Sequence, residues 1–345
     1  VVAAIRRQAG QLLHAMGDVH PNELKLQLAR ELCDLTFGRW CSRASVKRGV
    51  TTTKSALHRS AATPARVIFG NSGAEAVEIA LKTAAIHTHR PGVIAFTGAY
   101  HGLTYGALDA THRRDFRLPF AKQLGHFVDH FPFGKLPEMR PHYGAVLVEP
   151  IQGRGGIVVS PAEFLPALRE FCDRHKLVLI FDEIYTGFCR TGKWFACEHW
   201  NVVPDLICLG KGMAAGFPIS ACVGRAAIMD SWPVSQGEAL HTSTFLGNPV
   251  GCAAALASIA EMKRLKLNER AKMLGQLIPA SYRGRGLMRG LPVSNAPQLC
   301  ERLLQHGILA LPEGEQGEVL GLTPPLTITP RQLDFALKIV SKLLR

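Results

Sequence analysis

What this 345-residue chain lacks narrows its class. No apolar run reaches the roughly 18–20 residues a bilayer-spanning helix needs. The opening stretch Val1–His14 carries Arg6 and Arg7 within an amphipathic pattern and has no apolar centre after its charges, so it does not read as a signal peptide. There is no internal repeat and no low-complexity segment. Nine cysteines are present, at positions 33, 41, 172, 189, 197, 208, 222, 252 and 300, yet no Cys-x-x-Cys pair occurs. Most sit in apolar segments, as reduced thiols of a cytoplasmic protein do, and neither a disulfide framework nor a metal site is expected. Charged residues make up only 19% and acidic ones are in deficit: 40 Lys and Arg against 27 Asp and Glu give a net charge of +13. The basic residues are dispersed, with no basic run interleaved with aromatics. The charge therefore reads as a solvated surface, part of it facing an anionic ligand, rather than as a nucleic-acid footprint.

What is present is ample apolar material, 47% of residues, in a chain longer than one compact core usually holds. Short β-like runs alternate with helical stretches. Strands are expected at Val67–Phe69, Val93–Phe96, Ala145–Val148, Leu177–Phe181, Leu206–Leu209 and Ile219–Val223, and helices at Gly73–Thr88, Pro161–His175 and Pro249–Lys263. Near-continuously apolar strands separated by helices predict an α/β fold with a mainly parallel sheet covered on both faces. Beyond it, strands at Gly307–Leu311 and Val319–Leu322 and a helix from about Pro330 predict a smaller α+β domain. The expected division is an N-terminal remnant (1–20), a large domain (21–260) and a small C-terminal domain (261–345).

Ligands of such sheets bind beyond the carboxyl ends of the strands, and Gly70–Ala74, Tyr100-His101, Glu149–Gly153, Asp182 and Lys211 fall there. Asn71-Ser72-Gly73-Ala74-Glu75 leads from a strand into a helix, where small residues and a helix N-terminus suit a phosphate or simply make a capped turn. Tyr100-His101 follows a strand, with an aromatic ring that either stacks on a flat ligand or belongs to the core. Asp182 closes the run Leu177–Phe181; a buried carboxylate needs a partner, either a pyridinium nitrogen or backbone N–H groups. Lys211 stands between Gly210 and Gly212, with room for a ligand at its amine or as an ordinary surface lysine. A lysine able to form a Schiff base and a carboxylate able to hold a pyridinium nitrogen protonated are the contacts pyridoxal phosphate chemistry needs most.

In order and spacing, these segments resemble the class III (ω-aminotransferase-like) aminotransferases of pyridoxal phosphate (PLP) fold type I. The resemblance is carried by Asn71–Glu78, Tyr100-His101-Gly102, Glu149-Pro150-Ile151-Gln152-Gly153, Asp182–Phe188, Arg190-Thr191-Gly192, Leu209–Gly212, Ser243-Thr244-Phe245 and Gly247-Asn248-Pro249. It implies a large domain with a seven-stranded sheet and a smaller C-terminal domain. It also implies a ping-pong transamination in which an amine or amino-acid donor passes its amino group to a keto or aldehyde acceptor. By the same resemblance, Lys211 forms the internal aldimine and shuttles the proton, and Asp182 pairs with the pyridine nitrogen. Ser72, Gly73 and Ala74 hold the phosphate. Tyr100 and Ile184 pack on the two faces of the ring, with His101 and Tyr185 beside the cofactor. Thr244 reaches the phosphate of a neighbouring subunit, which implies a homodimer, and Glu149 lines the substrate side of the pocket.

The chain departs from the family pattern in four ways. It opens where the family is expected to be well under way, with Val1–His14 as the helix that follows the N-terminal strands, and Arg43–Pro64 is poorly matched. Tyr185 replaces a common glutamine near the cofactor's phenolic oxygen. Gly321 replaces an arginine that grips the substrate's α-carboxylate in many members, which puts 2-oxoglutarate and glutamate handling in question. Arg154 replaces a common acidic residue, and either binds an acidic group or faces solvent. A PLP aminomutase or decarboxylase of the same fold, and a non-catalytic homologue, are the competing expectations.

Overall fold

Alternating β-branched and aliphatic segments assemble into one seven-stranded sheet in the structure, a computed structural model that describes residues 1–16, 20–40, 65–237 and 239–344. Cys41 and the stretch Arg43–Pro64 lie outside the described residues. The first nine strands are β1 (Ala65–Gly70), β2 (Gly92–Phe96), β3 (Val128–Phe131), β4 (Tyr143–Val148), β5 (Ile151–Gln152), β6 (Val158–Val159), β7 (Val178–Asp182), β8 (Leu206–Leu209) and β9 (Ser220–Arg225). The large sheet runs β1-β9-β8-β7-β4-β2-β3, and β5 with β6 form a separate two-stranded ribbon. All pairings from β8 to β3 are parallel, and β9 is antiparallel to both its neighbours. Six strands therefore point the same way, and Gly70, Val148, Asp182 and Leu209 end at one edge.

The core explains why these strands read as continuous apolar runs. Along β7, Val178 and Ile180 join the layer beneath the helix Gly73–Thr88, while Leu179 and Phe181 join the opposite layer. Side chains alternate between faces, and both faces are covered, so every position is apolar. The helix Gly73–Thr88 starts where Ser72 Oγ accepts the Glu75 N–H and stops where His89 turns left-handed at φ 55°.

Several expected bounds shift. The helix expected over Pro161–His175 begins at Phe164, and the amphipathic pattern Val1–His14 is helical only over Val2–Ala9. Strand β3 was not anticipated: its sequence Val-Asp-His-Phe carries two polar residues because it lies at the sheet edge and is half-exposed. The C-terminal sheet has four antiparallel strands, β10 (Arg283–Arg285), β11 (Met288–Pro292), β12 (Leu311–Glu313) and β13 (Val319–Leu322), in the order β10-β11-β13-β12. Only β13 matches its expected bounds. The strand expected at Gly307–Leu311 is instead loop until Leu311, because β12 pairs through Leu311, Pro312 and Glu313 and leaves Leu309 exposed. Strands β10 and β11 are Arg- and Gly-rich and gave no periodic signal. This sheet and the helices Leu267–Gly275, Ala296–Gln305 and Pro330–Leu343 bury their own core, including Leu274, Leu287, Leu303, Leu320 and Val340. Among the described residues no helix is long and apolar enough to cross a membrane.

Candidate active site

The edge where the parallel strands end opens into a cavity of about 300 Å³, a size suited to a small ligand. Its floor is Asp182, the last residue of β7, buried at 4% exposure. Asp182 Oδ1 accepts the Ile184 N–H at 3.1 Å, and Oδ2 lies 2.8 Å from Nδ1 of the buried His101. His101 is anchored in turn through its backbone N–H, which donates to Thr111 Oγ1 at 2.9 Å. The carboxylate therefore sits rigidly at the base of the cavity.

Lys211 lines the same cavity, at the start of the turn Lys211–Ala214 after β8, with φ at 40° between its two glycines. Lys211 is exposed as a residue. Its Nζ stands 4.2 Å from the centre of the Tyr185 ring, a cation–π contact. The surrounding protein strips water from the amine and lowers its pKa below the usual lysine value, while Asp182, Glu149 and Glu313 oppose that shift.

The third wall is the N-terminus of the helix Gly73–Thr88, where Gly73 and Ala74 line the cavity. A side chain at position 73 would meet Ile184 at 3.0 Å, so glycine lets Ile184 lie against the helix start. The preceding turn is knitted by Glu75, whose Oε2 accepts from Asn71 N at 2.7 Å and Nδ2 at 3.1 Å. Ser72 is the helix cap and Thr244 is exposed; neither lines this cavity.

Glu149, Arg154, Tyr100 and Tyr185 also line the cavity. Glu149 is held by backbone N–H groups, from Tyr100 at 3.0 Å and Gly153 at 3.1 Å; burial nonetheless raises its pKa to about 7. The Arg154 guanidinium lies over the Tyr100 ring at 5.4 Å. Tyr185 presents its ring to Lys211 but turns its hydroxyl to Glu313 Oε1 and Thr323 Oγ1, each at 3.4 Å. Burial pushes that hydroxyl's pKa up. A larger groove of about 500 Å³, lined by Trp232, Val234 and Leu240, has no carboxylate among the described residues that line it.

A buried carboxylate, an accessible lysine of lowered pKa and a helix N-terminus around one cavity match the three polar ends of PLP: its pyridine nitrogen, aldehyde and phosphate. Comparison with known proteins decides the family. A family profile described as "Aminotransferase class-III" matches residues 1–344. The chain belongs to the class III aminotransferases.

This transaminase is 34% identical to the acetylornithine aminotransferase of Methanosarcina mazei over 99% of its own length and 82% of the relative's. It is 39% identical to the putrescine aminotransferase of Pectobacterium atrosepticum over 78% of its length and 64% of the relative's. Among solved structures it resembles the amine transaminase of an uncultivated Pseudomonas species in its PLP-bound form, with a TM-score of 0.82, 26% identity and coverage of 100% and 86% of the two chains. The transaminase is accordingly a PLP-dependent enzyme of fold type I.

Two residues of the transaminase's site region escaped the sequence reading. Glu313 on β12 is buried and bonded to Tyr185, and among the described residues its Oε2 has no partner. Burial raises its pKa, against the pull of Arg154. Position 313 lies 102 residues from Lys211 on a strand whose bounds were misplaced, so no local signal marked it. Glu183, next to Asp182, points away from the cavity and accepts from Thr186 Oγ1 at 2.5 Å, Ala196 N at 2.8 Å and Cys197 N at 2.7 Å. Its partners lie in a loop that the sequence gives no means of folding back.

Proposed function

We propose that Lys211 is the residue to which the cofactor attaches, and that it moves the proton in both half-reactions between an amino donor and a carbonyl acceptor. The observation that carries this reading is the lysine amine, lowered in pKa and set in the same cavity as buried Asp182. PLP, when bound, supplies an electron sink for the bond broken at the substrate carbon. Asp182 keeps the pyridine nitrogen protonated, and His101 holds Asp182 in place from behind. Ser72, Gly73 and Ala74 offer the phosphate a helix N-terminus. Tyr100 and Ile184 flank the ring, and Tyr185 orients the Lys211 amine through its ring face. Glu149 and Arg154 form the substrate side.

The relatives' names bring acetylornithine and putrescine as candidate donors. The active unit is a homodimer in which Thr244 serves the partner's phosphate site: Thr244 is exposed, and its neighbour Ser243 is fixed by a 3.0 Å bond from Asn71 Nδ2. Eight cysteines are unpaired among the described residues, which supports a cytoplasmic location. The separate C-terminal core supports a small domain within 261–345.

The test is borohydride reduction of the PLP-loaded protein followed by peptide mapping, with Lys211→Ala alongside. The label is expected on Lys211, and the variant is expected to lose transamination altogether. A label elsewhere, or near wild-type turnover by the variant, would overturn the assignment.

A further inference from the structure

Once the cofactor's needs are counted, the ionic groups lining the cavity are nearly all committed. Lys211 serves the aldehyde. Asp182 would hold the pyridine nitrogen and is braced by His101 and the Ile184 N–H. Glu149 has an oxygen on each of two backbone N–H groups. Arg154 remains. Among the described residues its guanidinium makes no hydrogen bond or ion pair, only the contact over the Tyr100 ring. Among the described residues the nearby carboxylates form no ion pair with it: Glu313 feels the charge of Arg154 but accepts from the Tyr185 hydroxyl through Oε1, Glu315 lies 3.8 Å from His112, and Glu318 accepts from Gln316 N at 2.9 Å.

The backbone beneath Arg154 is fixed. Its carbonyl accepts the Gly314 N–H at 2.9 Å, tying the loop to the C-terminal sheet. Gly156 N and Ile157 N both bond Gly153 O at 3.0 Å, and Arg283 Nε donates to Gly156 O at 2.7 Å. Gly156 sits at φ 102°, a backbone conformation that residues with a side chain rarely adopt. A guanidinium on an aromatic face keeps its N–H edge free, and that edge is the geometry that takes a carboxylate through two parallel hydrogen bonds.

We propose that Arg154 is a specificity-determining residue that receives the substrate's carboxylate, so that this enzyme works on amino and oxo acids in preference to simple amines and aldehydes. The inference rests on the cavity being the transamination site proposed above. It departs from the family pattern, in which an acidic residue is common at this position and the carboxylate-gripping arginine stands where this chain has Gly321.

The test is calorimetric titration of the protein, with and without added PLP, using glutarate as a non-reacting dicarboxylate and glutaramide as its uncharged counterpart. Wild-type protein is expected to bind glutarate and not glutaramide. Arg154→Ala is expected to weaken glutarate binding roughly tenfold or more, the loss of a charge-assisted pair, with the cofactor's absorbance unchanged. Arg154→Lys should fall between. Glutarate affinity unchanged in Arg154→Ala, or no glutarate binding by the wild type, would overturn the proposal. Arg154-dependent glutarate binding by a protein that takes up no PLP would uphold Arg154 and sink the transaminase site instead.

Discussion

Asp182 shows how little at the residue scale is free to vary. Its two oxygens are divided between the Ile184 N–H and the His101 ring, so the carboxylate cannot swing away from the cavity. Asp182→Asn keeps the shape but removes the charge that would hold a pyridine nitrogen protonated. We expect kcat to fall roughly 10²–10³-fold, the size of effect seen when one preorganised electrostatic partner is removed, while PLP still binds. Steady-state kinetics with cofactor absorbance checks this; a loss under threefold would make Asp182 a structural cap. The run Leu177–Phe181 ending in Asp182 was readable in the sequence because a carboxylate that closes an apolar strand must be buried. His101 was legible only as a neighbour of Tyr100. That it braces Asp182, 81 positions away, is set by where β2 and β7 end in the sheet.

Among the elements, the segment after β7 depends on Glu183. This carboxylate is fully buried and collects the Thr186 hydroxyl and the Ala196 and Cys197 N–H groups. Burial raises its pKa from 4.5 to about 7 despite those bonds. An acid raised in the folded state loses its proton first in the unfolded chain, so its contribution is full below about pH 4.5 and lost as pH rises towards 7. Glu149, raised to about 7 by burial, acts in the same direction. We therefore expect wild-type Tm to fall from pH 5 to pH 7 relative to Glu183→Gln, which has no such proton to lose. Thermal melts at three pH values decide this, and parallel curves would count against a raised Glu183. Glu183→Ala, which leaves three donors unpaired, should cost on the order of 3 kcal/mol. The β-strands of the large sheet were legible to within two or three residues because both faces are apolar. Strands β3, β10 and β11 were not, since edge and small-sheet strands carry Asp, His, Arg and Gly wherever one face meets water or a neighbour is missing.

For the whole molecule, the proposed homodimer makes a prediction about residues outside the cavity. Thr244 does not line its own chain's site, so Thr244→Ala should leave the fold's stability near wild type while weakening PLP retention about tenfold, as for a lost hydrogen bond to a charged group. Analytical ultracentrifugation should give a dimer, and cofactor titration should show the loss. A monomer that retains PLP as tightly as wild type would remove Thr244 from the assignment. The sequence by itself determined the family, the parallel sheet and the positions of Asp182 and Lys211, because apolar strands, glycine-flanked lysine and a strand-ending carboxylate are local patterns. Only the tertiary structure decided which polar groups face one another: Tyr185 turned to Glu313, Glu183 folded away into its loop, and Arg154 laid over the Tyr100 ring with no ion pair among the described residues. Side-chain pairing across 100 residues of chain is fixed by strand register and packing, and neither is written in the spacing of a single segment.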